Sequence, residues 1–265
     1  MPDILFRPDR ERLATTNAWA FLRRITPASE APGQIGPAGW ESLRRAIAAD
    51  PAGATRAFAA FAAIPDAPAR LALPRGAPAA LVLLPREGPR QSFSGDALAT
   101  RDAALPPAIA AALARPWSPE ALLAQRADLL LHADLRPDDV VLLAGLPAIG
   151  WLPALGDGTR LIVAEGGPAN LLGLAAATGA TVLAAPAGWI AEAAFARRPR
   201  PDLAGLRIVL AEGGPMAPAA RARVYAWIKA DVMLLARAGA RRWGNPLSPV
   251  VIQPKVELHV LAGAA

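Results

Sequence analysis

Residues 161–186, LIVAEGGPANLLGLAAATGATVLAAP, determine the fold of this 265-residue chain. The segment begins with a short apolar run at 161–164, continues through an alanine- and leucine-rich stretch at 169–178, and ends with a second apolar run at 181–185. Apolar runs of this length are typical of buried strands, whereas the longer alanine-rich stretch favours a helix. The segment therefore predicts a strand–helix–strand unit with parallel strands.

The same alternation extends on both sides of this unit. Further strands are predicted at 79–84, 140–144, 207–211 and 232–235, and a separate strand is predicted at 255–261, after this series. Further helices are predicted at 96–114, 119–133, 218–230 and from residue 187 onward. Strands that alternate with helices of this length form a mostly parallel sheet covered on both faces. The predicted fold class is therefore α/β, with a doubly wound, mostly parallel sheet.

The first part of the chain has a different pattern, because it is predicted to be helical throughout. Helices are predicted at 10–25, at about 40–48 and from Pro51 onward, where an alanine-rich stretch begins. Prolines at 65, 68, 74 and 78 interrupt the pattern that follows. We predict two domains, a helical N-terminal cap at 1–75 and an α/β core at 76–265.

Charge and composition argue against several classes of function. The chain has no cysteine, so neither disulfides nor thiolate metal sites form. Its formal charge is +6. The arginines are scattered among acidic residues and form no basic stripe, which argues against nucleic-acid binding.

The sequence also gives expectations about location. The most apolar stretch, residues 140–155, is interrupted by Pro147 and Pro153, and it is shorter than the ~20 residues of a membrane span. The first residues lack the charged and apolar regions of a signal peptide. We therefore expect no membrane span and a cytoplasmic location.

Six short motifs between His132 and Trp227 resemble a known family. In chain order they are HADLRPDD at 132–139, GW at 150–151, AEGGP at 164–168, ATVLAAP at 180–186, DLAGLR at 202–207 and GGPM at 213–216. Their order and spacing are similar to the core of the adenylate-forming acyl-CoA synthetases, especially the acetyl- and acetoacetyl-CoA synthetase branch. Trp19, Phe21, Trp40 and Phe58 resemble the helical cap that precedes this core.

The resemblance implies candidate binding residues. Gly213, Gly214, Pro215 and Met216 match the turn that cups adenine in these enzymes. Trp151 matches a tryptophan that walls the acyl pocket, and Trp189 lies near the expected pocket, although core packing is the alternative for both rings. The implied ligand is AMP or another adenine nucleotide, or a CoA ester, bound without magnesium.

The sequence departs from the family where the chemistry is expected. The resemblance implies a Ser/Thr/Gly-rich phosphate loop ending in Pro-Lys, but residues 112–119 read ALARPWSP. Residues 237–242, RAGARR, have arginine where the family has a glutamate that holds magnesium, and a cation does not ligate Mg²⁺. We also expect these 265 residues to contain no counterpart of the family's ribose-binding aspartate or of its C-terminal domain. No catalytic residue and no metal site is predicted.

Three functional hypotheses follow from this combination. The first is a catalytically degenerate relative that acts as a non-catalytic binding or assembly subunit. The second is a reduced acyl-activating ligase that needs a partner chain for the missing parts, and the third is a decaying gene product without activity. We also expect self-association or a protein partner through the C-terminal region, residues 224–261, where Trp227 and Trp243 are candidate anchors.

Overall fold

The computed structural model describes residues 10–26, 37–73, 80–100, 105–196, 201–228, 231–239, 241–243, 250–253 and 257–260. Its strands are β1 (Leu81–Leu84), β2 (Gln91–Phe93), β3 (Val140–Ala144), β4 (Arg160–Ala164), β5 (Val182–Pro186), β6 (Ile208–Glu212), β7 (Met233–Ala238), β8 (Arg241–Trp243), β9 (Val250–Gln253) and β10 (Glu257–Val260).

Its α-helices are α1 (Arg10–Ala14), α2 (Asn17–Ile25), α3 (Pro37–Ala49), α4 (Pro51–Phe61), α5 (Gly95–Thr100), α6 (Pro107–Ala114), α7 (Pro119–Arg126), α8 (Leu171–Thr178), α9 (Ala187–Phe195) and α10 (Pro218–Arg223). Two π-helical segments, Ala127–His132 and Val224–Ile228, continue α7 and α10, and two 3₁₀ segments span Ile149–Asp157 and Pro168–Asn170. Among the described residues, no helix has the length and apolar character needed to cross a membrane.

Eight strands form the main sheet, in the order β2-β1-β4-β3-β5-β6-β7-β8. The six central strands are parallel to their neighbours, whereas β2 and β8 are antiparallel at the two edges. Consecutive residues of β3, such as Leu142 and Leu143, point to opposite faces of the sheet, and both are fully buried. Burial on both faces is the property of a covered parallel sheet, so the predicted α/β, doubly wound class is confirmed.

Contacts divide the chain into two compact units. The sheet unit contains Met1–Arg7, Leu71–Arg115 and Arg136–Gly244, and the helical unit contains Pro8–Arg70, Pro116–Leu135 and Asn245–Ala265. The helical unit therefore combines the N-terminal helices with α7 and the β9–β10 hairpin. The predicted domain boundary at residue 75 lies within 74–79, outside the described residues.

An aromatic core holds the helical unit together. The ring of Phe21 on α2 meets that of Phe58 on α4 edge-on, with 5.4 Å between centroids, and Phe61 completes the group. Both Phe21 and Phe58 are fully buried. The β10 strand packs on α3 and α4 of the same unit. Part of the region predicted to associate with a partner is thus in contact with helices of its own chain.

Local signals break two predicted helices, and two others change from α- to π-helix. The helix predicted at 10–25 is two helices, because the Thr16 hydroxyl accepts a hydrogen bond from the Trp19 N–H at 3.2 Å and caps a new start. The helix predicted at 96–114 is α5 and α6, and α6 starts at Pro107 because proline favours the first helical position. The helices predicted at 119–133 and 218–230 become π-helical after Arg126 and Arg223, respectively.

A buried carboxylate links the amino ends of three central strands. Asp139 is 3% exposed and precedes β3. Its Oδ1 accepts from the Thr181 hydroxyl at 2.6 Å, just before β5, and from Arg207 Nε at 2.9 Å, just before β6. A second Arg207 nitrogen contacts Oδ2, which also accepts from the Arg136 N–H at 2.7 Å. These bonds fix the relative position of the three strands.

We predict that Asp139→Asn lowers the free energy of unfolding by about 3 kcal/mol, because it leaves the largely buried Arg207 charge without its counter-charge. Urea unfolding followed by circular dichroism measures the change. The neighbouring exposed carboxylate provides the matched control, and Asp138→Asn should change stability by less than about 0.5 kcal/mol. Equal effects of the two substitutions would contradict the role assigned to Asp139.

Candidate functional site

The carboxyl edge of the sheet is the candidate site. In open α/β sheets, ligands bind beyond the carboxyl ends of the strands, at the point where connections leave neighbouring strands in opposite directions. Here the chain leaves β3 for β4 on one side and leaves β5 for β6 on the other. The crevice between β3 and β5 is therefore the expected position for a ligand.

An indole ring occupies this crevice. Trp189 on α9 lies over Gly145, the residue that follows β3. A Cβ atom at Gly145 would lie 2.4 Å from the Trp189 ring, and the Gly145 φ of +66° is itself strained for other residues. The sequence therefore places glycine here because the ring needs the space and the turn needs the conformation.

A second cluster lies at the ends of β6 and β7. Glu212 and Arg237 are paired in the sheet register, and Arg237 Nε forms an ion pair with Glu212 Oε1. The Arg237 guanidinium also lies over the Trp151 ring, 4.9 Å from its centroid, a geometry that gives a cation–π attraction. Trp151 is only 2% exposed. The cluster is largely buried and locally neutral.

The predicted adenine turn joins this second cluster. The Gly213 N–H donates to the Arg237 carbonyl at 2.8 Å, and Gly213 and Gly214 have φ values of +98° and +131° that favour glycine. Gly213 and Pro215 are exposed, whereas Met216 is 7% exposed and packs in the core of the sheet unit. Only part of the predicted turn therefore faces solvent.

Two cavities open on the β1–β4 side of the same edge. The larger has a volume of about 430 Å³ and lies between the ends of β1 and β4, the loop at 145–149 and α6. The smaller, about 220 Å³, is lined by Trp189 and Asn170 among others. The cavities share Leu84, Pro85, Ala164 and Glu165. Their lining is mainly apolar.

The structure separates the two tryptophans that the sequence predicted for substrate binding. Trp189 is half-buried and lines the smaller cavity. Trp151 lies beneath Arg237 and lines neither of these two cavities. Their roles in substrate binding stay predictions, as does the adenine role of Gly213 to Met216. The sequence analysis did not single out Glu212 and Glu165. Glu212 is the last residue of the apolar strand β6, and Glu165 directly follows the apolar strand β4. A polar residue at the end of an apolar strand indicates a position at the carboxyl edge of the sheet.

The segment expected to replace the phosphate loop has a structural role. In residues 112–119, Arg115 ends α6, and Trp117 is buried and forms an isolated β-bridge with Ala69. The Ser118 hydroxyl accepts from the Ala121 N–H at 3.2 Å and caps α7. The pKa of the Glu120 carboxyl is lowered, mainly by a hydrogen bond with the backbone and to a smaller extent by a hydrogen bond with the Ser118 side chain. The Ser118 hydroxyl is therefore used to cap α7.

A different connection reaches the carboxyl edge of β1. Residues 85–90, PREGPR, join β1 to β2, and Gly88 there has a φ of +104°. Arg86 is exposed, and Arg90 Nε donates to the Ser92 hydroxyl at 3.3 Å. This connection places arginines in a loop that follows a parallel strand.

Comparisons with known proteins agree with the geometry. The fold is similar to acetoacetyl-CoA synthetase from Streptomyces lividans, with a TM-score of 0.68, 14% identity, and coverage of 98% of this chain and 68% of that one. Matches also include a long-chain-fatty-acid-CoA ligase from Archaeoglobus fulgidus (TM-score 0.40, 13% identity, 47% of this chain and 28% of that one). An amide bond synthetase from Marinactinospora thermotolerans matches with a TM-score of 0.39 and 24% identity, over 47% of this chain and 26% of that one.

The likeness to the acetoacetyl-CoA synthetase shows the class of fold. No family model and no curated protein sequence matches the chain. The described structure has the fold of an adenylate-forming acyl-CoA ligase core, which confirms at the level of fold the resemblance seen in the sequence motifs. Within that class, an acetoacetyl-CoA synthetase matches the structure over nearly the whole chain.

We predict that Gly145→Ala destabilises the protein by about 3 kcal/mol, from about 1 kcal/mol of backbone strain and about 2 kcal/mol of overpacking against Trp189. In a Trp189→Ala background the same substitution should cost only about 1 kcal/mol, because the ring is gone. Urea unfolding of the four proteins of this cycle measures the difference.

The control for this cycle is Gly166→Ala. An added Cβ there would meet no atom within 4 Å, so its expected effect is within about 0.5 kcal/mol. A Gly145→Ala cost that is the same in both backgrounds would show that Trp189 does not occupy the crevice.

Proposed function

We propose that this protein is a non-catalytic relative of the acyl-CoA synthetases that acts as a binding or assembly subunit. The observation that carries the proposal is the ion pair between Arg237 and Glu212 at the carboxyl edge. Formation of an acyl-adenylate moves negative charge onto pyrophosphate, so cations or backbone N–H groups must stabilise it. Here the Arg237 charge is already balanced by a carboxylate.

The position of the Arg237 guanidinium over the Trp151 ring supports the same proposal. An acyl group that used Trp151 as a wall would have to displace Arg237 from both the ring and Glu212. The engaged Ser118 hydroxyl gives further support, since residues 112–119 serve as a helix end and a helix cap. Both features suit a scaffold that keeps its shape without the reaction.

A partial binding function fits the exposed part of the glycine turn. Gly213 and Pro215 are accessible, so the turn at 213–216 remains a candidate for AMP, another adenine nucleotide or a CoA ester. We propose that such a ligand binds without magnesium and mainly through its base. The cytoplasmic location stays a prediction from the sequence.

The proposed assembly role concerns the C-terminal region, residues 224–261. Trp227 is half-buried, and the Arg223 guanidinium lies 4.7 Å from its ring centroid. Its partly exposed ring is a candidate anchor, because aromatic residues contribute strongly to interfaces. Trp243 forms the end of β8, and its side chain lies outside the described residues. Self-association or a protein partner is therefore retained as a proposal.

One observation favours the alternative of a reduced ligase that works with a partner chain. The connection at 85–90 has Gly88 in a left-handed conformation and the exposed Arg86 beside the carboxyl end of β1. A loop that follows a parallel strand and carries glycine and cations is able to hold an anion. This arrangement supports phosphate binding if a partner supplies the remaining groups.

We predict that the purified protein catalyses no carboxylate-dependent exchange of pyrophosphate into ATP. The reason is that the positive charge of Arg237 is already paired with Glu212 and is not available to stabilise the phosphates. The assay uses a panel of short and medium carboxylic acids with magnesium, and an active acetoacetyl-CoA synthetase is the positive control. Exchange above background that disappears in Arg86→Ala would instead favour the reduced ligase.

We further predict that adenosine, AMP and ATP bind with dissociation constants within about threefold of one another, since phosphates contribute little without a site that holds them. Titration calorimetry with and without magnesium measures this. Gly213→Val should abolish adenosine binding, whereas Gly205→Val, at another exposed turn, should not. A magnesium-dependent preference for ATP would contradict the prediction.

A further inference from the structure

The two cavities on the β1–β4 side have the features of a small-molecule site. The larger one, about 430 Å³, falls in the range of cavities that enclose small ligands. Its walls are aliphatic and include Leu83, Ile109, Ile149 and Val163. Such walls favour an apolar ligand body, because apolar surface is removed from water on both partners.

The position of the cavities is fixed by backbone bonds of the parallel sheet. The Glu165 N–H donates to the Leu84 carbonyl at 2.9 Å, and the Gly145 N–H donates to the Ala164 carbonyl at 3.2 Å. These bonds hold the ends of β1, β4 and β3 side by side. The site is therefore built on rigid elements rather than on a single loop.

The charged residue in the lining of the two cavities indicates which ligand head group they favour. Among the described residues that line the two cavities, Glu165 is the one charged side chain, and the other polar side chains are the amides Gln91 and Asn170. Glu165 is exposed and lies on the wall that the cavities share. Arg86 and Arg90 belong to the adjoining connection but line neither cavity. A carboxylate ligand would therefore meet a like charge at the mouth.

We propose that this edge binds a small ligand with an apolar body and a cationic amine head, with the body in the larger cavity and the ammonium group against Glu165. The inference rests on the proposed binding role of the chain, and it gives that role a ligand chemistry opposite in charge to a fatty acid. Gln91 lines the larger cavity, and its amide carbonyl oxygen is a further acceptor there.

Three probes with one body and different heads test the head-group preference: 3-phenylpropylamine, 3-phenylpropan-1-ol and 3-phenylpropanoate. Ligand-observed NMR titration at low salt gives their dissociation constants with the full chain. We expect the amine to bind most tightly and the carboxylate least. Glu165→Gln should weaken the amine about threefold, the size measured for exposed ion pairs, and leave the alcohol unchanged.

Two further variants locate the effect. Glu192→Gln removes another exposed carboxylate, on α9 and outside both cavities, and should leave all three affinities unchanged. Ala108→Trp places a large ring in the larger cavity and should abolish binding of all three probes, with an unfolding curve to verify that the variant is folded.

Several results would overturn the inference: tightest binding of the carboxylate, an amine affinity unchanged in Glu165→Gln, or no binding of any probe at millimolar concentration. A carboxylate preference that disappears in Arg86→Gln would assign the edge to anions instead. Pyrophosphate exchange is measured separately, so a positive exchange would refute the non-catalytic role while an amine preference would still stand.

Discussion

The Asp139 carboxylate is the contact on which the arrangement of the sheet depends. It joins the start of β3 to Thr181 and Arg207, at the starts of β5 and β6, in a site that is almost completely buried. A buried carboxylate is costly unless hydrogen bonds and a cation satisfy it, so the three residues are needed together. The register of the central strands follows from this requirement, and the positions of the loops at their opposite ends follow from the register.

The same three residues belong to the motifs that made the chain resemble the acyl-CoA synthetases. Asp139 ends HADLRPDD, Thr181 lies in ATVLAAP and Arg207 ends DLAGLR. All three act at the amino ends of the strands, away from the edge where α/β sheets bind ligands. The fold is similar to that of an acetoacetyl-CoA synthetase although only 14% of the residues are identical. The recognisable motifs preserve a structure, and function has to be argued from the other edge.

The sequence predicted the centre of the sheet well and its edges poorly. The strand predicted at 140–144 matches β3 because it is continuously apolar and lies between a proline turn and Gly145. By contrast, β2 has the sequence QSF, and its extended form depends on pairing with β1 rather than on its own pattern. The contact of Arg237 with Glu212 was not predictable either, because it requires the register of β6 against β7.

Two side-chain contacts at the carboxyl edge decide where a ligand has room. Trp189 fills the crevice between β3 and β5 at Gly145, and the Arg237–Glu212 pair covers Trp151 at the ends of β6 and β7. Each contact closes a position that the fold alone would leave open. The two cavities described above lie on the β1–β4 side, where Glu165 is the charged side chain of their described lining. A fold of this class therefore offers space at different positions of its carboxyl edge, because the few side chains at the strand ends decide which positions are filled.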